Sequence, residues 1–179
     1  DAQPSQYLLF NRTSRKFTRL GAERPDIEAS QMASMDMLRI KARDGLDIPV
    51  WLTLPPGAVK GRDKLPMVVL VHGGPFARAP SWQWDAEVQF LAARGYAVLQ
   101  PQFRGTRGFG LAHARGGWRQ WGKAMQTDVT DATRWAISEG IADPQRIAIA
   151  GGSYGGYSTL MGLLRDPDLF RCGVAWVAV

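Results

Sequence analysis

An α/β fold, with a mainly parallel sheet and helices on both faces, is predicted by three features of this 179-residue sequence. Residues 67–71, 96–99 and 146–150 are short, continuous apolar runs, the mark of strands buried on both faces. Helix-like segments separate them, so each strand must return through a right-handed crossover. Gly95 and Gly140 stand where two of these helical patterns stop.

The elements follow in order. Residues 7–10 and 16–20 flank a polar turn and read as a small antiparallel hairpin. Residues 21–35 hold Pro25, lack periodicity and read as a linker. Residues 37–42 alternate in polarity, Asp44-Gly45 marks a tight turn, and residues 48–54 return as a second strand that Pro55-Pro56-Gly57 ends. After the strand at 67–71, residues 85–94 are helix-like, with Val88, Leu91 and Ala92 on one side. Residues 105–122 are rich in glycine and predict a long loop with one helical turn. Thr127 is the expected N-cap of the next helix, with Asp128 in its first turn and Val129, Ala132 and Ala136 on its apolar face. Residues 157–165 form a further helix, and residues 173–179 read as a fourth buried strand.

Composition narrows the function. The chain is 45% hydrophobic and 21% charged, which argues against disorder. No apolar run approaches the roughly 18 residues that span a bilayer, so no membrane partner is expected. One cysteine, Cys172, excludes an internal disulfide, and only two histidines, His72 and His113, make a metal site or other cofactor unexpected. The 22 basic and 16 acidic residues give a net charge of +6, but the basic residues are scattered, so nucleic acid is not an expected partner. Asn11-Arg12-Thr13 fits a glycosylation sequon, a triplet that arises often by chance. The chain opens at Asp1 without a Met and stops within an apolar segment, so a fragment of a longer protein is expected. Both the bacterial cytoplasm and the periplasm remain open as its compartment.

The strongest chemical signal is Gly151-Gly-Ser-Tyr-Gly-Gly-Tyr157, which contains G-x-S-x-G between a buried strand and a helix. This is the context of a nucleophile elbow in an α/β-hydrolase. The turn is so tight that Ser153 must adopt strained dihedrals, and side chains at 151 and 155 would collide with the neighbouring strand and helix. The strain lifts the Ser153 hydroxyl over a helix N-terminus, where N–H groups favour developing negative charge. A glycine-rich turn with only a packing or phosphate-binding role is the alternative, and no Lys follows the glycines to support a phosphate loop.

The second signal is His72-Gly73-Gly74-Pro75, directly after a strand. Acyl transfer needs N–H donors aimed at the tetrahedral oxyanion. Tyr154, the residue after the nucleophile, should give one; Gly74 is the choice for the other, with Gly73 as the second candidate. His72 reads as structural, its ring ordering the loop, or as directly catalytic. Arg104 either braces loops or contacts substrate. Trp82, Trp84, Phe76 and Phe109 either line an apolar pocket or pack loops. Ser153 needs a histidine base oriented by a carboxylate. The residues after it hold Asp166 and Asp168, read as a helix stop and turn, and no histidine. His113 lies upstream, in an order foreign to this architecture. The triad Asp and His are therefore expected to lie outside this chain. An esterase or lipase would use the same groups.

These residues, together with residues 42–49, Phe103-Arg104-Gly105, Gly108-Phe109-Gly110, Trp121-Gly122 and Asp128, resemble the prolyl oligopeptidase family of serine peptidases, especially its acylaminoacyl-peptidase and bacterial dipeptidyl-aminopeptidase branch. The resemblance covers roughly residues 35–179. It implies hydrolysis of short peptides through an acyl-enzyme on Ser153, with the Gly74 and Tyr154 N–H groups in the oxyanion hole. Some members carry, at the position of His72, a tyrosine whose hydroxyl serves the oxyanion hole; that role does not transfer to histidine. The resemblance also implies that residues 1–34 are a hairpin leaving a β-propeller plus a linker. Residues 35–179 are then the N-terminal portion of the catalytic domain, which would end before the triad Asp and His. By itself such a chain is expected to be inactive. Its expected partners are a peptide substrate and either the rest of the same polypeptide or a second copy.

Overall fold

A computed structural model describes residues 2–78 and 82–179. Strands β1 (Gln6–Asn11) and β2 (Lys16–Ala22) form a separate antiparallel hairpin with an irregularity between Tyr7 and Leu8. The Asn11 side chain fastens its turn by accepting the Thr13 and Ser14 N–H groups. A short 3₁₀ turn at Ala29–Gln31 interrupts the linker.

The main sheet has six strands: β3 (Met35–Lys41), β4 (Asp47–Thr53), β5 (Leu65–Val71), β6 (Ala97–Pro101), β7 (Ala142–Gly152) and β8 (Cys172–Trp176). Their spatial order is β3-β4-β6-β5-β7-β8, with β3, β4 and β6 joined antiparallel and β6, β5, β7 and β8 parallel. Helices α1 (Ala86–Ala92), α2 (Leu111–Gly116), α3 (Ala124–Ser138) and α4 (Tyr154–Arg165) lie between the later strands. No helix among the described residues is long and apolar enough to cross a membrane.

Strand alternation divides the core. Val69, Leu99, Ile147 and Ile149 share one buried cluster with Met125, Val129, Ala132 and Ala136 of α3. Val68 and Val98 alternate with those strand residues and are buried outside that cluster. They serve the face of α1, which packs against β6 and buries Val88 and Ala92. Asp85 caps α1 by accepting the Glu87 and Val88 N–H groups, and Gly95 ends the turn beyond it at φ +87.

Two helix starts and the burial of one strand differ from expectation. Helix α3 starts at Ala124, so Thr127 is not its N-cap; the Thr127 hydroxyl donates back to the Lys123 carbonyl instead. Asp128 therefore lies inside the helix, fully buried. Helix α4 begins directly after Ser153 rather than at Tyr157. Strand β8 is an edge strand whose residues are exposed except for half-buried Gly173. The expectation of a buried fourth strand fails because α4 covers only the Gly173 side, with Thr159 and Leu163 against that glycine.

Two ion pairs join the sheet loops to α3: Arg43 in the β3–β4 turn binds Asp131 through its backbone N–H and its guanidinium, and Arg104 binds Asp128. Arg104, just after β6, donates from Nε and Nη2 to the two Asp128 oxygens at 2.8 and 2.7 Å, and its backbone N–H adds a 2.8 Å bond. Its Nη1 reaches Asp44 in the β3–β4 turn at 2.7 Å. Burial pushes the Asp128 carboxyl above its ordinary value and the Arg104 bonds pull it back in part. Asp128→Asn should cost about 3 kcal/mol in urea unfolding, because it leaves a largely enclosed guanidinium short of charge. The paired change Arg104→Met with Asp128→Leu should recover most of that loss. Gly155→Ala should also destabilise, by about 3 kcal/mol, because its Cβ would run into the Val71 carbonyl of the neighbouring strand.

Candidate active site

The site is built where β5 and β7 end. In β7 the register runs Ala150 beside Leu70 and Gly151 beside Val71, so the chain leaves the sheet at Gly152 alongside the end of β5. It then turns at once into α4. A Cβ on Gly151 would lie 2.5 Å from the Val71 oxygen and 2.7 Å from the Gly155 carbonyl carbon. A Cβ on Gly156 would meet Ala178 at 3.0 Å, and one on Gly152 would strike the Trp176 ring. The strand, helix and following loop thus close on a bend that only glycines permit at these positions.

Ser153 occupies the bend at φ 55 and ψ −122, a conformation that a non-glycine residue holds only at a strain of about 1–3 kcal/mol. Its backbone is fixed from both sides: its N–H donates to the Trp176 carbonyl at 3.1 Å, and its carbonyl accepts the Tyr157 N–H at 3.0 Å. The side chain is half-exposed, and its hydroxyl has no hydrogen-bond partner among the described residues. Tyr154 opens α4, so its N–H has no acceptor within the helix. Its ring anchors that position. It is fully buried, 5.2 Å from Phe103 and 4.8 Å from Trp121, and burial raises its phenol pKa above the ordinary value.

The loop after β5 lies against this bend. A Cβ on Gly73 would come within 3.3 Å of Ser153 Cβ and 3.9 Å of its Oγ. Gly74 follows at φ +127, a conformation that glycine favours, and its N–H has no acceptor among the described residues. His72 stacks on Phe103 at 4.5 Å and 15°. Its Nδ1 lies 2.7 Å from the Gly73 oxygen and its Nε2 2.9 Å from Thr106 Oγ1. Burial lowers its pKa, against an opposing pull from the Gly73 carbonyl, so the ring is held neutral. A cavity of about 300 Å³ opens beside this loop, lined by His72, Gly73, Gln100, Gln102, Gly152 and Trp176 among others.

The structure thus brings His72, Gly73, Gly152 and Ser153 together, with Tyr154 next in the chain. Arg104 belongs elsewhere: Asp128 and Asp44 engage its guanidinium, and the bonds to Asp128 chiefly raise its pKa. His113 is buried, bonded through Nε2 to the Phe103 carbonyl at 3.1 Å, with its pKa lowered by burial. Both histidines therefore have structural partners. The four aromatic residues do not share a pocket. Trp82 donates to the Met35 carbonyl, Phe109 packs on Trp51 and His113, Phe76 faces Gly105, and Trp84 lines a separate cleft with Phe90. Among the described residues no cluster of His, Cys, Asp and Glu could hold a metal ion. Thr106 escaped the sequence reading, since a threonine in a glycine-rich loop carries no signal of its own.

Known proteins resemble this chain in sequence and in backbone. A family model described as the prolyl oligopeptidase family matches residues 82–179. The dipeptidyl aminopeptidase BIII of Pseudoxanthomonas mexicana is 40% identical over 176 residues, covering 96% of this chain and 25% of the relative. The dipeptidyl peptidase family member 6 of Caenorhabditis elegans is 36% identical over 191 residues, covering 96% of this chain and 26% of the relative. Among solved structures, a puromycin-hydrolyzing peptidase of Mycobacterium tuberculosis superposes with a TM-score of 0.86 at 28% identity, over 98% of this chain and 28% of that one. The acylaminoacyl peptidase of Pyrococcus horikoshii does so at 0.80 and 25% identity, over 99% and 28%. The chain spans about a quarter of the length of these relatives. Agreement in sequence and backbone from one end of the chain to the other leads to a single conclusion: it belongs to the prolyl oligopeptidase family.

Proposed function

We propose that this chain carries the nucleophile and oxyanion-binding portion of a serine peptidase acting on short peptides. The observation that carries the reading is the strained Ser153 conformation, φ 55 and ψ −122, at a strand–helix bend beside Gly73. Residues 35–179 form the N-terminal portion of the catalytic domain, and residues 1–34 are the exit hairpin of a β-propeller and its linker. The peptide substrate class rests on the relatives, which are named dipeptidyl aminopeptidase and acylamino-acid-releasing enzyme.

The chemistry follows from the groups present. Ser153 Oγ attacks the scissile carbonyl carbon while its proton passes to a base supplied from outside this chain. The carbonyl oxygen becomes an oxyanion and takes hydrogen bonds from the N–H groups of Gly74 and Tyr154. Collapse breaks the C–N bond; the base returns its proton to the departing amine, leaving an ester on Ser153. Water, deprotonated by the same base, then releases the acid. The α4 N-terminus adds its dipole to the stabilisation.

Two measurements test this reading. The 179-residue chain without a base should label only slowly with a fluorophosphonate probe; rapid labelling of Ser153 in the isolated chain would contradict the division of the triad. In the protein that contains this chain and a base, Ser153→Ala should lower turnover of aminoacyl anilides by roughly 10⁴-fold or more. Undiminished turnover, or cleavage of short esters without any peptide cleavage, would overturn the peptidase reading.

A further inference from the structure

The His72 ring makes two short contacts that a neutral imidazole can satisfy in one way only. Nδ1 lies 2.7 Å from the Gly73 carbonyl oxygen. A carbonyl accepts and never donates, so Nδ1 must carry the hydrogen. Nε2 is then an acceptor, and the group 2.9 Å from it is the Thr106 hydroxyl. That hydroxyl has a second acceptor in reach, the Phe103 carbonyl at 2.7 Å. The Phe103 oxygen also receives the Thr106 N–H at 3.1 Å and lies 3.1 Å from His113 Nε2. With Nδ1 committed to a carbonyl, Nε2 is the acceptor of the ring, and the Thr106 hydrogen is shared between it and the Phe103 oxygen. The opposite arrangement, with Nε2–H donating to Thr106, would set the bare Nδ1 lone pair against the Gly73 oxygen.

The Gly73 carbonyl and the Gly74 N–H belong to the same peptide plane, and that peptide is trans. Holding the oxygen on one side therefore fixes the direction of the N–H on the other. We propose that Thr106 is the positioning residue of this loop: its hydroxyl holds His72 as the Nδ1–H tautomer, and that N–H aims the Gly73–Gly74 peptide beside Ser153. Thr106 is suited to the task. It is fully buried, its backbone N–H is tied to Phe103, and the next residue is pinned to the loop itself, with Arg107 N–H donating to the Ala77 carbonyl at 2.8 Å. Phe103, stacked under the ring, removes the remaining freedom of the imidazole. The catalytic meaning of the relay rests on the reading of Gly74 as an oxyanion donor; the relay itself does not.

Nitrogen-15 NMR of the histidine rings at neutral pH tests the relay on the 179-residue chain directly. His72 should show the Nδ1–H tautomer. Thr106→Ser should keep this pattern. Thr106→Val should lower the Nδ1–H population of His72. In the protein with a complete triad, Thr106→Val should cut kcat about tenfold with KM within about twofold, and Thr106→Ser should restore it. An Nε2–H tautomer at His72 in the unaltered chain overturns the proposal, and that reading needs no variant to fold. So does a Val variant whose His72 tautomer and kcat both stay unchanged. Expected tautomers in a protein whose Ser153→Ala variant still hydrolyses peptides would sink the peptidase reading and leave the relay standing.

Discussion

The Val71 carbonyl is the constraint around which the site is arranged. It ends β5 and projects into the space where a side chain at Gly151 or at Gly155 would have to go. Strand β7 and helix α4 can both close on that oxygen only because neither residue has a Cβ. The closeness makes the turn between them too short for relaxed dihedrals, and the strain falls on Ser153 at φ 55. A residue held in this way cannot retreat into the core. The buried sheet around it, not any contact of the serine side chain, keeps its hydroxyl at the surface.

A second tier of interactions fixes the loops on either side. Arg104 ties the loop after β6 to α3 through Asp128 and to the β3–β4 turn through Asp44. The same loop then reaches across to the loop after β5 through Thr106 and Arg107. An ion pair this enclosed gives little net stability, because desolvation of both charges offsets their attraction. Its value is geometric. A guanidinium with three N–H groups engaged admits one orientation, so the register between α3 and two loops is set by hydrogen-bond directions rather than by apolar area alone.

How much of this can be read from sequence follows from the range of the forces. Local and periodic features are legible. The apolar runs mark β5, β6 and β7; Asp44-Gly45 marks the β3–β4 turn; and Gly151, Ser153 and Gly155 mark the bend, since only a cramped backbone needs those glycines. Features set by distant partners are not. Thr127 looks like a cap because Ser, Thr and Asp favour helix starts, yet α3 begins at Ala124 and Asp128 is reserved for an arginine 24 residues away in the chain. The apolar run at 172–176 looks buried because its composition matches the inner strands, whereas its exposure depends on what lies beside β7. The hairpin β1–β2 is legible by its turn and pairing, but its side chains from Tyr7 to Leu20 are exposed. Alternation fixes a strand's pairing pattern without saying which face another element will cover.

The Thr106–His72 contact shows why a site can be half hidden from its own sequence. The groups proposed to meet the oxyanion are main-chain N–H dipoles, which bring no rotamer freedom to be frozen and need little reorganisation as charge develops. Backbone donors leave no signature in residue type beyond the glycines that let them approach. What the sequence can vary is the set of side chains that aim those peptides, and their identity follows from hydrogen-bond accounting at each acceptor. The Phe103 carbonyl accepts from the Thr106 N–H and the Thr106 hydroxyl and lies beside His113 Nε2. The proposed sharing of the Thr106 hydrogen between that oxygen and His72 Nε2 leaves the ring its Nδ1–H, which holds the Gly73 oxygen. The orientation of the Gly73–Gly74 amide beside Ser153 thereby depends on a hydroxyl in another loop, fully buried with Phe103, while Gly74 itself is exposed.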